Sequence, residues 1–291
     1  MKILISDAFD PSLPDRLAKF GEVTDDKSQL PEADVVLIRS KTKCTKEYID
    51  GAPNLKLIIR GGVGLDNVDR EYAKEKGIEV RNTPEASSVA VAELAFALMI
   101  AVPNHLTKAH NSMVDGQWIK KELKRTELMG KTLGLIGVGR IGTALAIRAR
   151  AFGMNVIGYD NFVNASEFVT LKPLDEVLAE SDYLSLHVPL TCDTEKMINK
   201  STIAKMKDGA VLVNTGRGKC VDADDVVEAL NSGKLGAYAV DVWPSDPPPP
   251  DYPILKAPNV VMAPHLGASS KENLLRIGDI VVDIINEFQN K

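Results

Sequence analysis

Cysteine is scarce in the 291 residues: Cys44, Cys192 and Cys220 stand singly, no C-x-x-C spacing occurs, and the chain holds only four histidines. That excludes a disulfide framework and leaves no ligand cluster for zinc, so no metal is expected and a reducing, cytoplasmic compartment fits best. Positive charge is also in short supply. The 35 Lys and Arg stand against 40 Asp and Glu, a formal net charge of -5. Nucleic acids and anionic membrane surfaces want a basic face, so neither is expected as a partner. Long apolar runs are missing as well. The longest, VAVAELAFALMIAV over residues 89–102, carries Glu93 and falls short of a membrane span, so it reads as a buried core helix. The opening MKILISDAFD has one Lys and a short apolar run, which suits a first buried strand better than a secretory leader. Low-complexity tracts are absent apart from a proline block at residues 247–250.

Short apolar strands alternating with helical segments fill the chain. KILIS, DVVLIR, LKLIIR and IEVRN predict strands in the first third, with PSLPDRLAKF, TKEYIDGAP and NVDREYAKEKG as polar, helix-spaced segments between them. After Gly130 the pattern restarts with TLGLIG, NVIGYD, DYLSLHV, AVLVN, LGAYAVDV and NVVMAP. Runs apolar on both faces are those of a parallel sheet covered by helices, and the alternation implies a doubly wound α/β architecture. Two such series, separated by a long helix and the polar stretch at residues 103–130, predict two α/β domains. The last segment is amphipathic, with Leu274, Ile277, Ile280, Val281, Ile284 and Ile285 on one side.

The sharpest local signal is TLGLIGVGRIGTALAIRARAFGMNVIGYD. Gly137, Gly139 and Gly142 form G-x-G-x-x-G between an apolar strand and an Ala-rich helix. The first glycine permits a tight turn, the second lets backbone approach a pyrophosphate, and the third lets helix and strand pack closely; the helix N-terminus offers free N–H groups. The next strand ends in Asp160, 18 residues beyond Gly142, where a carboxylate can accept the ribose hydroxyls and repel a 2′-phosphate. The following NFVNAS has no Arg or Lys to host that phosphate. A glycine-rich turn without nucleotide is the bland alternative; strand, helix and acid together favour NAD.

Hydride chemistry needs a proton carrier of near-neutral pKa, a carboxylate to orient it, and a guanidinium fork for a substrate anion. Open α/β sheets place such groups at carboxyl ends of strands. AVLVNTGRGKCVD puts Arg217 there, LGAYAVDVWPSDP puts Asp241 and Asp246, and NVVMAPHLGAS puts His265. Each alone reads as a surface charge, a loop acid or a helix-start residue. At successive strand ends of one nucleotide-binding sheet they read as a site. The proline block would hold Asp246 still.

In order along the chain, IRSKTK, RGGVGLDNVD, KGIEVRNTPEASSVAVAE, GKTLGLIGVGRIG, HVPLT, NTGRGKCVD, DVWPSDPP and PHLGAS resemble the D-isomer-specific 2-hydroxyacid dehydrogenases over nearly the whole length, and most closely the phosphoglycerate enzymes of the short type. The resemblance implies a Rossmann NAD domain, residues 101–268, inserted into a flavodoxin-like substrate domain, residues 1–100 plus 269–291. It implies Arg217 as the substrate-gripping arginine, His265 as acid/base and Asp246 as its carboxylate partner. Thr83, Arg140, Ile141, Asp160, Val188, Pro189, Thr215, Gly216, Asp241, Gly267 and Ala268 would join the three glycines in contacting NAD, with Asp241 at the nicotinamide amide. Arg60 and the turn Gly61, Gly62, Val63 and Gly64 would bind the anionic substrate. The family usually carries Glu where this chain has Asp246, one methylene shorter. Oxidation of 3-phosphoglycerate to 3-phosphohydroxypyruvate, the first step of serine biosynthesis, is the implied reaction; the alternatives are glyoxylate or hydroxypyruvate reduction and an NAD-sensing corepressor-like protein. Arg39, Lys41, Lys43, Arg60 and Lys121 are the candidate basic groups for a second anion, of which Lys41, Lys43 and Lys121 read as solvated surface charges. The stretch from His105 to Lys121 would supply a homodimer contact, and His105, His110 and His187 read as structural. The regulatory domain of longer relatives is not expected, nor feedback inhibition through it.

Overall fold

The computed structural model describes residues 1–291 and divides the chain into two compact units, Met1–Ala90 with Ala268–Lys291, and Val91–Gly267. The division falls inside the helix Ser88–Ala101 rather than near residue 100. A continuous helical pattern contains no signal for where one core ends and the next begins.

The first unit holds a five-stranded, all-parallel sheet of β1 (Lys2–Ile5), β2 (Glu22–Thr24), β3 (Val35–Ile38), β4 (Leu57–Arg60) and β5 (Glu79–Asn82), in the order β2-β1-β3-β4-β5. Period-two alternation sorts its residues to two cores. Ile3, Ile5, Val35, Leu37, Leu57 and Ile59 face one side with Leu13 and Leu17. Leu4, Val36, Ile38 and Ile58 face the other with Ile49 and Ala73. The C-terminal helix Lys271–Gln289 lays Ile277, Val281, Ile284 and Ile285 onto the first of these cores, each worth roughly 1.5–3 kcal/mol when fully removed from water. Ser270 caps its N-terminus, accepting from the Asn273 backbone N–H at 3.2 Å.

The second unit carries seven parallel strands: β6 (Thr132–Ile136), β7 (Asn155–Tyr159), β8 (Thr170–Leu171), β9 (Tyr183–Leu186), β10 (Ala210–Asn214), β11 (Leu235–Val240) and β12 (Val260–Met262). Their order, β12-β11-β10-β9-β6-β7-β8, reverses between β6 and β9, which is where a doubly wound sheet opens a crevice. β9 and β10 are buried at every residue, as an interior parallel strand must be. One face is covered by Ala92, Ala95, Phe96 and Met99 of Ser88–Ala101 and by Leu145, Ala146 and Ala149 of Arg140–Ala151. Small Ala side chains let both helices approach the sheet closely. Glu93, the one charge in that apolar run, is exposed and pairs with Arg148 at 2.8 Å. No single helix is long and apolar enough to cross a membrane.

Candidate active site

Arg217, Asp241, Asp246 and His265 all follow the carboxyl ends of strands of the second unit, while Arg140, Ile141 and Gly142 form the first turn of the helix Arg140–Ala151. After β6 the chain turns through Gly137, with φ +96°, into the Arg140–Ala151 helix, whose N-cap is Gly139. A Cβ on Gly137 would stand 2.6 Å from the His187 carbonyl oxygen, and one on Gly142 would stand 2.2 Å from the Gly137 carbonyl oxygen. Both glycines are therefore dictated by close backbone contact. Gly139 differs: a Cβ there meets nothing within 4 Å, so its requirement is room for something else at the helix N-terminus. Asp160, at the end of β7, braces this loop. Its Oδ2 accepts from the Val138 N–H at 2.7 Å, and its Oδ1 from the N–H groups of Phe162 and Val163 at 2.8 and 3.1 Å. Four lone-pair positions against three donors leave acceptor capacity for a ribose hydroxyl.

Beyond β9, His187 presses its backbone on the glycine loop while its Nε2 bonds the Ser185 hydroxyl at 2.9 Å. Burial pulls its pKa down to about 4, so the ring is neutral at pH 7, a structural role like the one the sequence suggests. Val188 follows, and Gly216 packs on the Leu186 and Val188 carbonyls, where a Cβ would come within 3.1 and 3.3 Å. Thr215 is buried and its hydroxyl has no partner within the chain. A buried, orphaned donor is what a polar ligand would satisfy. The observations fit a dinucleotide.

Arg217 emerges beyond β10 on a turn fixed by Asn214. This fully buried amide donates to the Arg217 carbonyl at 3.0 Å and the Tyr238 hydroxyl at 3.2 Å, and accepts from the Gly216 N–H at 3.1 Å. At the end of β12, His265 adopts φ +57°, a left-handed conformation that a non-glycine residue holds only under constraint. The constraint comes from Asp241, which is 1% exposed. Its Oδ1 accepts from the Leu266 N–H at 2.7 Å and its Oδ2 from the Gly267 N–H at 2.8 Å. Burial raises the Asp241 pKa, while those two N–H donors and the nearby His265 pull the other way. Expected at the nicotinamide amide, Asp241 thus also clamps the turn that carries His265, a role not anticipated from its sequence position. Asp246 Oδ2 meets His265 Nδ1 at 2.5 Å, with each side chain 31% exposed. A carboxylate only accepts, so the proton between the two sits on Nδ1 and Nε2 is left without it.

In the first unit Arg60 ends β4 in register with Ile38, the last residue of β3, and Arg39 follows Ile38. The Arg60 guanidinium lies directly over the glycine turn, since a Cβ on Gly62 (φ +146°) would overlap its Nη1 at 1.6 Å. Asn82 and Thr83 fix the turn from the end of β5. Asn82 Nδ2 donates to the Val63 carbonyl at 2.6 Å, and the Thr83 N–H donates to that of Gly62 at 3.0 Å. Arg39 is held by the Ala8 and Ala268 carbonyls at 3.3 and 2.8 Å, and burial lowers its pKa. Lys41, Lys43 and Lys121 are exposed, matching the bland reading.

Comparison with known proteins agrees with this geometry. Residues 96–267 match the family model of the D-isomer specific 2-hydroxyacid dehydrogenase NAD binding domain. A hydroxypyruvate reductase of Thermotoga maritima is 48% identical over 263 residues, covering 89% of this chain and 86% of that protein. A D-3-phosphoglycerate dehydrogenase of Archaeoglobus fulgidus is 40% identical over 300 residues, covering 98% of this chain but 57% of that protein, so the chain spans little more than half its length. The crystal structure of a D-lactate dehydrogenase from Aquifex aeolicus with NAD and lactic acid superposes with a TM-score of 0.89 at 32% identity, covering 100% of this chain and 96% of that one. NAD is accordingly the cofactor. With the NAD-binding unit matched across more than half of its residues and relatives aligned along most of its length, the chain belongs to the D-isomer specific 2-hydroxyacid dehydrogenase family and is an NAD-dependent oxidoreductase acting on CH–OH groups.

Proposed function

We propose that the chain interconverts 3-phosphoglycerate and 3-phosphohydroxypyruvate, the first step of serine biosynthesis, in the cytoplasm. The observation that carries the site assignment is the His265–Asp246 pair at 2.5 Å, with Arg217 on a neighbouring strand end of the same NAD sheet. When bound, NAD supplies the acceptor or donor for the hydride at C2. The rest of the work is the chain's own. His265 takes or gives the hydroxyl proton at Nε2, Asp246 orients the ring through Nδ1, and Arg217 grips the carboxylate and polarises the carbonyl. Gly137, Gly139, Gly142, Asp160 and Thr215 hold the dinucleotide. The Gly61–Gly64 turn with Arg60, seconded by Arg39, would receive the substrate's anionic groups. Two guanidiniums on adjacent strand ends suit a substrate with a second anion better than one with a carboxylate alone.

Reduction of hydroxypyruvate or glyoxylate is the second reading, favoured by the 48% identity to a hydroxypyruvate reductase. Turnover of 3-phosphoglycerate, hydroxypyruvate and glyoxylate separates the two when Arg60→Ala is the control. Losing a charged hydrogen-bonding partner should raise KM for the phosphorylated acid by roughly 10- to 100-fold and leave hydroxypyruvate within about twofold. Equal effects on both, or a wild-type protein that prefers hydroxypyruvate, would overturn the phosphoglycerate reading. No NADH consumption with any acid would point instead to an NAD-sensing binding protein.

The reading includes a homodimer. Leu106, Met113 and Val114 form an apolar stripe on the Leu106–Val114 helix, and Trp118 follows it; they are 52%, 58%, 72% and 77% exposed within one chain. A stripe this apolar is normally covered. Sedimentation should give twice the mass of one chain, and Met113→Lys with Val114→Glu should halve it; a wild-type protein sedimenting as a single chain rejects the dimer.

A further inference from the structure

We propose that Trp243 is a positioning residue that sets His265 and Arg217 relative to each other, an inference that rests on the roles given to those two residues above. Trp243 lies just beyond β11, three residues before Asp246, and touches the segments that carry all three polar groups. Its indole Nε1–H donates to the Ala263 carbonyl at 3.0 Å. Ala263 is buried, and its own N–H is committed to the Val240 carbonyl at 2.8 Å. Only Pro264 separates it from His265, and proline has a fixed φ and no donor of its own. The orientation of the Ala263 carbonyl therefore decides where the left-handed His265 turn begins. Trp243 fixes that turn on its N-terminal side, and Asp241 fixes it on the other through Leu266 and Gly267.

The second contact is backbone on backbone. A Cβ on Gly218 would lie 2.3 Å from the Trp243 carbonyl carbon, 2.5 Å from its oxygen and 2.7 Å from its Cα. Gly218, next to Arg217, is pressed flat on the Trp243 main chain, so the Arg217 turn takes its position from this residue. The indole itself rests edge-on against Tyr252, ring centroids 6.2 Å apart at 80°, and Tyr252 stands where the chain leaves the proline block. A single residue thus ties the start of the His265 turn, the Arg217 turn and the Asp246 loop into one frame. Phenylalanine in its place would keep an aromatic ring on Tyr252 and lose only the hydrogen bond to Ala263. Alanine at Gly218 would disturb only the other contact.

The two variants report on different partners. Trp243→Phe should lower kcat about tenfold or more, through misplacement of the imidazole, leave the NAD dissociation constant unchanged, and move the limb of the pH–rate profile that depends on His265. Gly218→Ala should raise KM for the 2-oxo acid about tenfold by displacing the Arg217 fork, with the pH profile in place. His265→Asn is measured beside them. Should Trp243→Phe show only a lower melting temperature, with kcat and pH profile those of the wild type, while His265→Asn is inactive, Trp243 is merely structural and the proposal fails alone. An active His265→Asn instead removes the acid/base reading itself, and with it the frame's purpose.

Discussion

Replacement of His265 by Asn is expected to lower kcat by roughly 10²- to 10⁴-fold, the range a positioned acid/base contributes, with NADH binding left as it was. The prediction follows from the division of labour at the ring. Nδ1 is committed to Asp246 at 2.5 Å, so only Nε2 can exchange the substrate proton, and asparagine offers no group that cycles between donor and acceptor. Asp246→Asn should cost less, about tenfold in kcat, because an amide oxygen can still accept from Nδ1–H but the bond is no longer charge-assisted. Retained turnover in His265→Asn would refute the acid/base assignment. An Asp246→Asn variant with the wild-type kcat would mean that the shorter Asp, standing where the family usually has Glu, no longer does the orienting.

The parts of the fold that were legible are those whose signal is local. Parallel strands buried on both faces must be continuous apolar runs, which is why β3, β9 and β10 stand out in the sequence. The glycine loop is legible because its G-x-G-x-x-G spacing is itself local, and Gly142 answers to the Gly137 carbonyl five residues before it, although the contact that demands Gly137 comes from His187, far along the chain. His265, Asp246 and Arg217 could be picked because strand ends are predictable from the strands. The edge strands β2 and β8, only Glu22–Thr24 and Thr170–Leu171, are too short and too polar for any periodicity. More instructive are Asn214, Asp241 and Trp243. Each acts through bonds to backbone atoms, and the partners of Asp241 and Trp243 lie more than 15 residues away, at Leu266, Gly267 and Ala263. A backbone acceptor looks the same under any side chain, so nothing at residue 263 announces that an indole will reach it. Asp241 shows the consequence: the resemblance directs it toward the cofactor, and the fold adds a clamp on the turn that carries His265. Asn273 is a further case, a buried amide in an otherwise apolar helix stripe, donating to Ser87 Oγ and the Ala268 carbonyl at 3.2 and 2.8 Å.

Replacement of Arg217 by Lys should be nearly as damaging as loss of the histidine, although the charge is kept. The Arg217 main chain is fixed by the Asn214 amide at 3.0 Å, and its Nη1 donates to the Gly216 carbonyl at 2.8 Å, so the guanidinium approaches from a preset direction. A planar fork placed this way can give two parallel hydrogen bonds to a carboxylate, and it can still reach the carbonyl oxygen on which negative charge gathers. Lysine offers a point charge on a flexible stem. It can satisfy one oxygen at a time, and nothing orients it. At about 1.5–3 kcal/mol for each charge-assisted bond, and about 1.4 kcal/mol per factor of ten, the loss is roughly 10²- to 10³-fold in kcat/KM. It should appear in both terms, because the bond to the carboxylate forms on binding and the bond to the carbonyl oxygen strengthens only as the hydride moves. NADH affinity should be unaffected, since Gly216 and Thr215 keep their backbone positions through Asn214. A Lys variant within tenfold of the wild type would mean that charge alone suffices at this position. The Asn214 clamp, which holds the turn that aims the fork, would then have no catalytic purpose to serve.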